Sequence, residues 1–97
     1  MAKQPETKFK EKVLRELRKI PNSYWIKIQS VSIRGIPDII GTVNGHFVAL
    51  ELKVPPNRLK PGGLQWLVIQ ELKKAGAYAR EVIPDTLNET LDNIKLL

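Results

Sequence analysis

Apolar residues recur at helical spacing over residues 5–20, where Phe9, Val13, Leu14, Leu17 and Ile20 form one stripe. Pro5 suits the first turn of such a helix, where a missing N–H costs little, and Pro21-Asn22 ends it. Tyr24 to Gln29 alternates aromatic or β-branched residues with polar ones, which predicts a strand, and a turn through Ser30 to Gly35 follows. Residues 37–43 and 46–54 are apolar-rich strands on either side of Asn44-Gly45, the pair best able to adopt the positive φ angles of a two-residue type I′ hairpin. Residues 55–63, rich in Pro and Gly, predict an irregular basic loop that packs only shallowly. Leu64, Leu67, Val68, Leu72 and Ala75 restore the helical period, with Gly76 as the stop. Residues 77–83 read as a strand again, and Pro84 opens a last helix carrying Leu87, Leu91, Ile94 and Leu97.

The order is therefore αβββαβα, an α/β chain with an α+β-like mixed sheet in a single domain over residues 1–97. A strand, a connecting helix and a further strand imply a right-handed crossover, so the strand at 77–83 should run parallel to the one at 46–54. The hairpin fixes more. With Asn44-Gly45 as its turn, Asp38 faces Glu51 across the strands. Side chains alternate along a strand, so Lys53 joins the two acids on one face, together with Ile40 and Phe47. Apolar members imply that this face is covered. Two opposed carboxylates about 5 Å apart (Cβ to Cβ) repel one another, and a divalent cation between them would relieve the conflict.

Glu6 projects near the middle of the first helix's apolar stripe, whereas Glu11 and Glu16 fall well off it. It is either a third acid of the same site or a charge favoured by the helix N-terminus. Three acidic side chains converging from the first helix and two adjacent strands would offer the oxygen ligands that Mg²⁺ or Mn²⁺ prefers. Phosphodiester hydrolysis is the chemistry such a site serves, with Lys53 orienting water and offsetting charge on the phosphate.

Formal net charge is +6, with residues 1–80 holding 15 basic against 6 acidic side chains and residues 81–97 holding Lys95 against four acids. That imbalance suits a polyanion, or else a solvated lysine-rich helix face. Cysteine is absent, which removes disulfides and zinc-thiolate sites. No apolar run approaches the roughly 20 residues of a membrane helix, and residues 1–8 lack a signal peptide's hydrophobic stretch. A cytoplasmic protein with no membrane partner is expected.

Pro37-Asp38 followed by Glu51-Leu52-Lys53 on the next strand resembles the active-site signature of the PD-(D/E)xK nuclease superfamily, whose restriction-endonuclease-like αβββαβ core matches the order above. More narrowly, Arg34-Gly35-Ile36-Pro37-Asp38-Ile39-Ile40, then Ala49 to Lys53, then Gln65 opening a helix that ends Lys74-Ala75-Gly76, resemble the VRR-NUC family over about residues 6–83. The resemblance implies a Mg²⁺- or Mn²⁺-dependent DNA endonuclease of phage or bacterial type, associated with the nucleoid. It implies a homodimer acting on branched DNA such as four-way (Holliday) junctions. It also makes Asp38, Glu51 and the Leu52 carbonyl metal ligands, Lys53 the catalytic lysine and Gln65 a site-facing glutamine. Glu6 best fits the family's first-helix glutamate, with Glu11 as the fallback. Arg34, Arg58 and Lys60 are candidate DNA contacts. A non-catalytic nucleic-acid-binding module of the same fold and a nuclease cutting ordinary duplex are the alternatives. His46 is expected exposed at the hairpin tip, and Trp25 and Trp66 as core or interface anchors.

Overall fold

In the computed structural model, residues 4–29 and 33–97 are described. Part of the expected turn, residues 30–32, lies outside them. The elements are helix α1 (Pro5–Leu17), strands β1 (Ser23–Lys27), β2 (Ile39–Val43) and β3 (His46–Leu52), helix α2 (Leu64–Lys74), strand β4 (Tyr78–Val82), a 3₁₀ turn (Pro84–Thr86) and helix α3 (Leu87–Lys95). The strands lie in the order β1-β2-β3-β4, antiparallel except for the β3-β4 pair, as the crossover required. The last helix starts later than expected because the 3₁₀ turn intervenes after Pro84.

The hairpin forms in the anticipated register, with Val43 opposite His46 and Ile39 opposite Leu50. Asn44 and Gly45 both take positive φ, 49° and 82°, the type I′ requirement. Gly41 has a different reason to be glycine. Its cross-strand partner is Trp25, and a Cβ at position 41 would overlap the indole ring. Helix α2 ends in a Schellman arrangement, with the Ala77 N–H donating to Leu72 O and the Gly76 N–H to Lys73 O, each at 3.0 Å.

The two faces of the sheet are covered unequally. Ile39, Val43, Val48, Leu50, Leu52 and Val82 point toward α1 and α3 and form the main core with Phe9, Val13, Leu14, Leu17, Trp25, Leu91 and Ile94. Each such large apolar side chain stabilises the fold by about 1.5–3 kcal/mol relative to exposure. The opposite face carries α2 alone, which buries Ala49, Ile69 and Ala79 with Leu59, Leu72 and Ile40 beside them. A helix about 10 Å wide spans roughly two strands spaced about 4.8 Å apart, so α2 lies over β4 and the paired part of β3, with Ile40 of β2 at its edge, and leaves Tyr24 and Ile26 of β1 exposed. Phe47, expected to be covered, is 43 % exposed, because it sits at the start of β3, one residue before the stretch that pairs with β4. The 55–63 loop is mostly exposed, as a shallowly packed loop should be, with Leu59 half-buried against the α2-side cluster. Among the described residues, no helix is long and apolar enough to cross a membrane.

Candidate active site

Past the Ile39–Leu50 pair, β2 and β3 stop pairing through their backbones. Asp38 and Glu51, the next residues on each strand, sit at this opening on the α2 face. Asp38 is held there from both sides: its carbonyl accepts from the Ile28 N–H at 2.8 Å, and its Oδ2 accepts from the Leu52 N–H at 2.8 Å. A carboxylate thus replaces a strand carbonyl in the ladder. Because the N–H and C=O of one strand residue point to the same side, the Leu52 carbonyl also projects toward the Asp38 edge.

Glu51 is 2 % exposed, and its Oε2 finds no hydrogen-bond partner among the described residues. Burial, then the hydrogen bond to Asp38 and the Asp38 charge, push the Glu51 pKa up to about 9 against the pull of Lys53 and Lys10. At neutral pH Glu51 therefore carries a proton and shares it with Asp38. Burial works to raise the Asp38 pKa too, but the Glu51 hydrogen bond, the Leu52 N–H and Lys10 outweigh it and hold Asp38 below the usual carboxylate range.

Two cations flank the pair. Lys10 of α1 places Nζ 3.2 Å from Asp38 Oδ1. Lys53 follows β3 directly, and its N–H donates to Val82 O at 3.0 Å, which keeps it in the parallel ladder beyond the assigned strand. Its side chain lines a cavity of about 260 Å³ together with Gln65 and Trp66 of α2. It also borders a second, of about 490 Å³, with Glu6, Asn57 and Lys60. Gln65 of the second helix thus shares a cavity with Lys53.

Glu6 does not join the acid pair. It is exposed and accepts from Asn57 Nδ2 at 3.2 Å across the 55–61 loop, while Lys10, one turn further along α1, takes the place beside Asp38. Glu11 lies half-buried on the following turn. Among the described residues, no three acidic or histidine side chains gather closely enough to hold a metal, so the expected three-acid convergence is not formed. A hard dication nonetheless fits the residues present. Two adjacent carboxylates, one with an orphaned buried oxygen, and a nearby backbone carbonyl are the oxygen donors such an ion takes.

Arg34 and Lys60 are exposed. Arg58 is committed elsewhere: its Nε and Nη2 donate to both oxygens of Glu81 at 3.0 and 3.1 Å, and the Leu59 N–H adds a 2.7 Å bond. Partial burial would raise the Glu81 pKa, but Arg58 and the Leu59 N–H hold it low. Glu81 is the β4 partner of Glu51 in register and pins the loop beside Lys53. Neither Lys10 nor Glu81 was singled out from the sequence. Lys10 had a signal, since it lies four residues after Glu6 on the same helical flank; Glu81 needed the parallel register. His46 is exposed at the tip, Trp25 is buried and Trp66 half-buried.

The fold is restriction-endonuclease-like, that of the PD-(D/E)xK nucleases. Among solved structures the chain is similar to a VRR_NUC domain, with a TM-score of 0.72 and 15 % identity over 90 % of this chain and 94 % of the other. It is also similar to the Holliday junction resolvase Hjc of Archaeoglobus fulgidus, with a TM-score of 0.55 and 25 % identity over 79 % of this chain and 67 % of that one. No protein-family model matches the sequence, and no curated protein matches it significantly.

Proposed function

We propose that this chain is a Mg²⁺- or Mn²⁺-dependent DNA endonuclease that acts on branched DNA, four-way junctions among them. The observation that carries this is the buried Glu51 carboxyl, with one oxygen unpartnered, set against Asp38 at the open end of the hairpin. Such a pair is costly in an apolar surround unless a cation or a proton compensates it. Asp38, Glu51 and the Leu52 carbonyl would hold the ion. When bound, it supplies a Lewis acid for the phosphoryl oxygen and a stronger nucleophile from water.

The remaining work falls to side chains. Lys53, at the junction of two cavities, orients the attacking water and offsets charge developing on the phosphate, while Gln65 lines the same wall. Glu6 borders the second cavity with Lys53, apart from the acid pair. Arg34 and Lys60 offer phosphate contacts, and Arg58 does so once it leaves Glu81. Branched substrates are favoured by the likeness to a junction resolvase.

Dimerisation belongs to the same proposal, because a resolvase nicks two strands and one unit offers one site. Its support is the bare half of the α2-side face, where Tyr24 (70 % exposed) and Ile26 (45 %) of β1 lie beside Phe47. Tyr24, Thr42 and Phe47 form one cross-strand row. Sedimentation should show a dimer that Tyr24→Glu dissociates; a wild-type monomer that resolves junctions would remove this part.

Junction, flap and duplex substrates incubated with Mg²⁺, Mn²⁺, Ca²⁺ or EDTA test the whole. Cleavage of the branched substrates in Mg²⁺ or Mn²⁺ only, lost in Asp38→Ala, is the expected result. Turnover in EDTA, or an Asp38→Ala protein as fast as wild type, would refute it.

A further inference from the structure

We infer that Lys10 is a tethered counter-ion, holding the place of the dication beside Asp38 until the ion displaces it into a phosphate-binding position shared with Lys27. The inference rests on the proposed metal site. Three observations lead to it. Both Asp38 oxygens are engaged, Oδ2 by the Leu52 N–H and Oδ1 by the Lys10 ammonium at 3.2 Å, so the side of Asp38 that is not tied to the backbone faces a positive charge. Glu51 Oε2, next to it, has no hydrogen-bond partner among the described residues. A dication bridging the two acids would stand within a few ångströms of the Lys10 ammonium, and two positive charges that close repel strongly where water is partly excluded.

Lys10 has somewhere to go. A cavity of about 420 Å³ opens on its other side, lined by Lys10 and Asp38 together with Lys27, Gln29 and Ile36. Lys27 ends β1 and is half-buried. With Asp38 neutralised by the ion, this cavity presents two ammonium groups and an amide, the donors that a phosphodiester oxygen takes. It lies on the far side of Asp38 from the Lys53 cavities, so a nucleic-acid strand crossing the acid pair would meet Lys10 and Lys27 on one flank and Lys53 and Lys60 on the other. Reciprocity follows: metal binding frees Lys10 for DNA, and DNA that holds Lys10 favours the metal.

Calorimetric titration with Mn²⁺ alone gives the first reading. Lys10→Met should bind Mn²⁺ more tightly than wild type by at least about fivefold, the lower end of ordinary coupling. Binding that is equal or weaker overturns the inference and leaves the metal site standing; wild type that binds no Mn²⁺ overturns both. Salt dependence of junction binding gives the second. In Ca²⁺, Lys10→Met and Lys27→Met should each flatten the slope of log affinity against log salt by about 1, whereas in EDTA only Lys27→Met should do so. A Lys10→Met effect of equal size in EDTA, or none in Ca²⁺, contradicts displacement. Should Lys10→Met not fold, the wild-type Lys10 Cε resonance decides: it must shift on Mg²⁺ addition, and an unmoved resonance at saturating Mg²⁺ counts against the proposal.

Discussion

The two ends of the β2-β3 hairpin obey different rules. At the closed end the backbone satisfies itself: Val43 pairs with His46, the Asn44 N–H donates to Asn22 O at 2.9 Å, and the Asn44 side-chain amide donates to Leu97 O at 3.1 Å. At the open end a side chain takes over, and the Leu52 N–H is satisfied by Asp38 rather than by a strand carbonyl. Both ends meet the demand that buried or paired backbone donors find acceptors. They differ in what is left over. Among the described residues, the closed end leaves no buried side-chain atom unpartnered, whereas the open end leaves a protonated Glu51 with an oxygen facing no donor. Among the described residues, Glu51 Oε2 is the buried side-chain atom left without a partner, and that is where a ligand is expected.

The contrast can be broken by substitution. The largest effect should come from Lys53→Ala, which removes a charged donor at the open end and should slow cleavage by about 10²–10³-fold, while His46→Ala at the closed end leaves the rate within twofold (about 2). Single-turnover cleavage of a junction measures both. Next in size is Gly41→Val in the middle of the hairpin. Its side chain would drive into the Trp25 ring, and urea denaturation should register a loss of about 1–3 kcal/mol or more, with the hairpin ends chemically unaltered.

A third test uses pH on the metal-free protein. Glu51 titrates at about 9 when folded and near its ordinary value of 4.5 when unfolded. The unfolded chain therefore releases that proton first, and stability present below about pH 4.5 falls as pH rises toward 9. Glu51→Gln should flatten this alkaline decline, as should saturating Mg²⁺. Asp38 has the opposite sign: its lowered pKa adds stability above the usual carboxylate range that is lost on acidification. Thermal melts from pH 2 to 10 separate the two, because the Asp38 loss falls below its ordinary value of 3.8 and the Glu51 loss above 4.5. The smallest effect belongs to Asn44→Ala, which places alanine at a φ of 49° and cuts the tie to Leu97; about 1–2 kcal/mol of stability should go, with cleavage unchanged.

How much of this was legible from residues alone follows from what each feature needs. The hairpin register needed only the Asn44-Gly45 pair and strand alternation, both local, so the meeting of Asp38 with Glu51 and the side taken by Lys53 could be worked out in advance. Lys10 depended on how α1 crosses the sheet. A helical projection ranks positions about one axis but does not say which flank meets a strand end, and Glu6 was favoured for the place that Lys10 holds. Glu81 depended on the β3-β4 register, which a crossover helix sets and no turn residue announces. Phe47 was misjudged because the alternation that assigns a side chain to a face does not reveal how far one helix extends over it.

Calorimetric titration of Mn²⁺ into the wild-type protein and into Asp38→Asn tests the central claim most directly. Saturable binding by the wild type, lost in Asp38→Asn while its circular dichroism stays native, is the predicted result. A folded Asp38→Asn protein that binds Mn²⁺ as the wild type does, or a wild type that binds none, would contradict it.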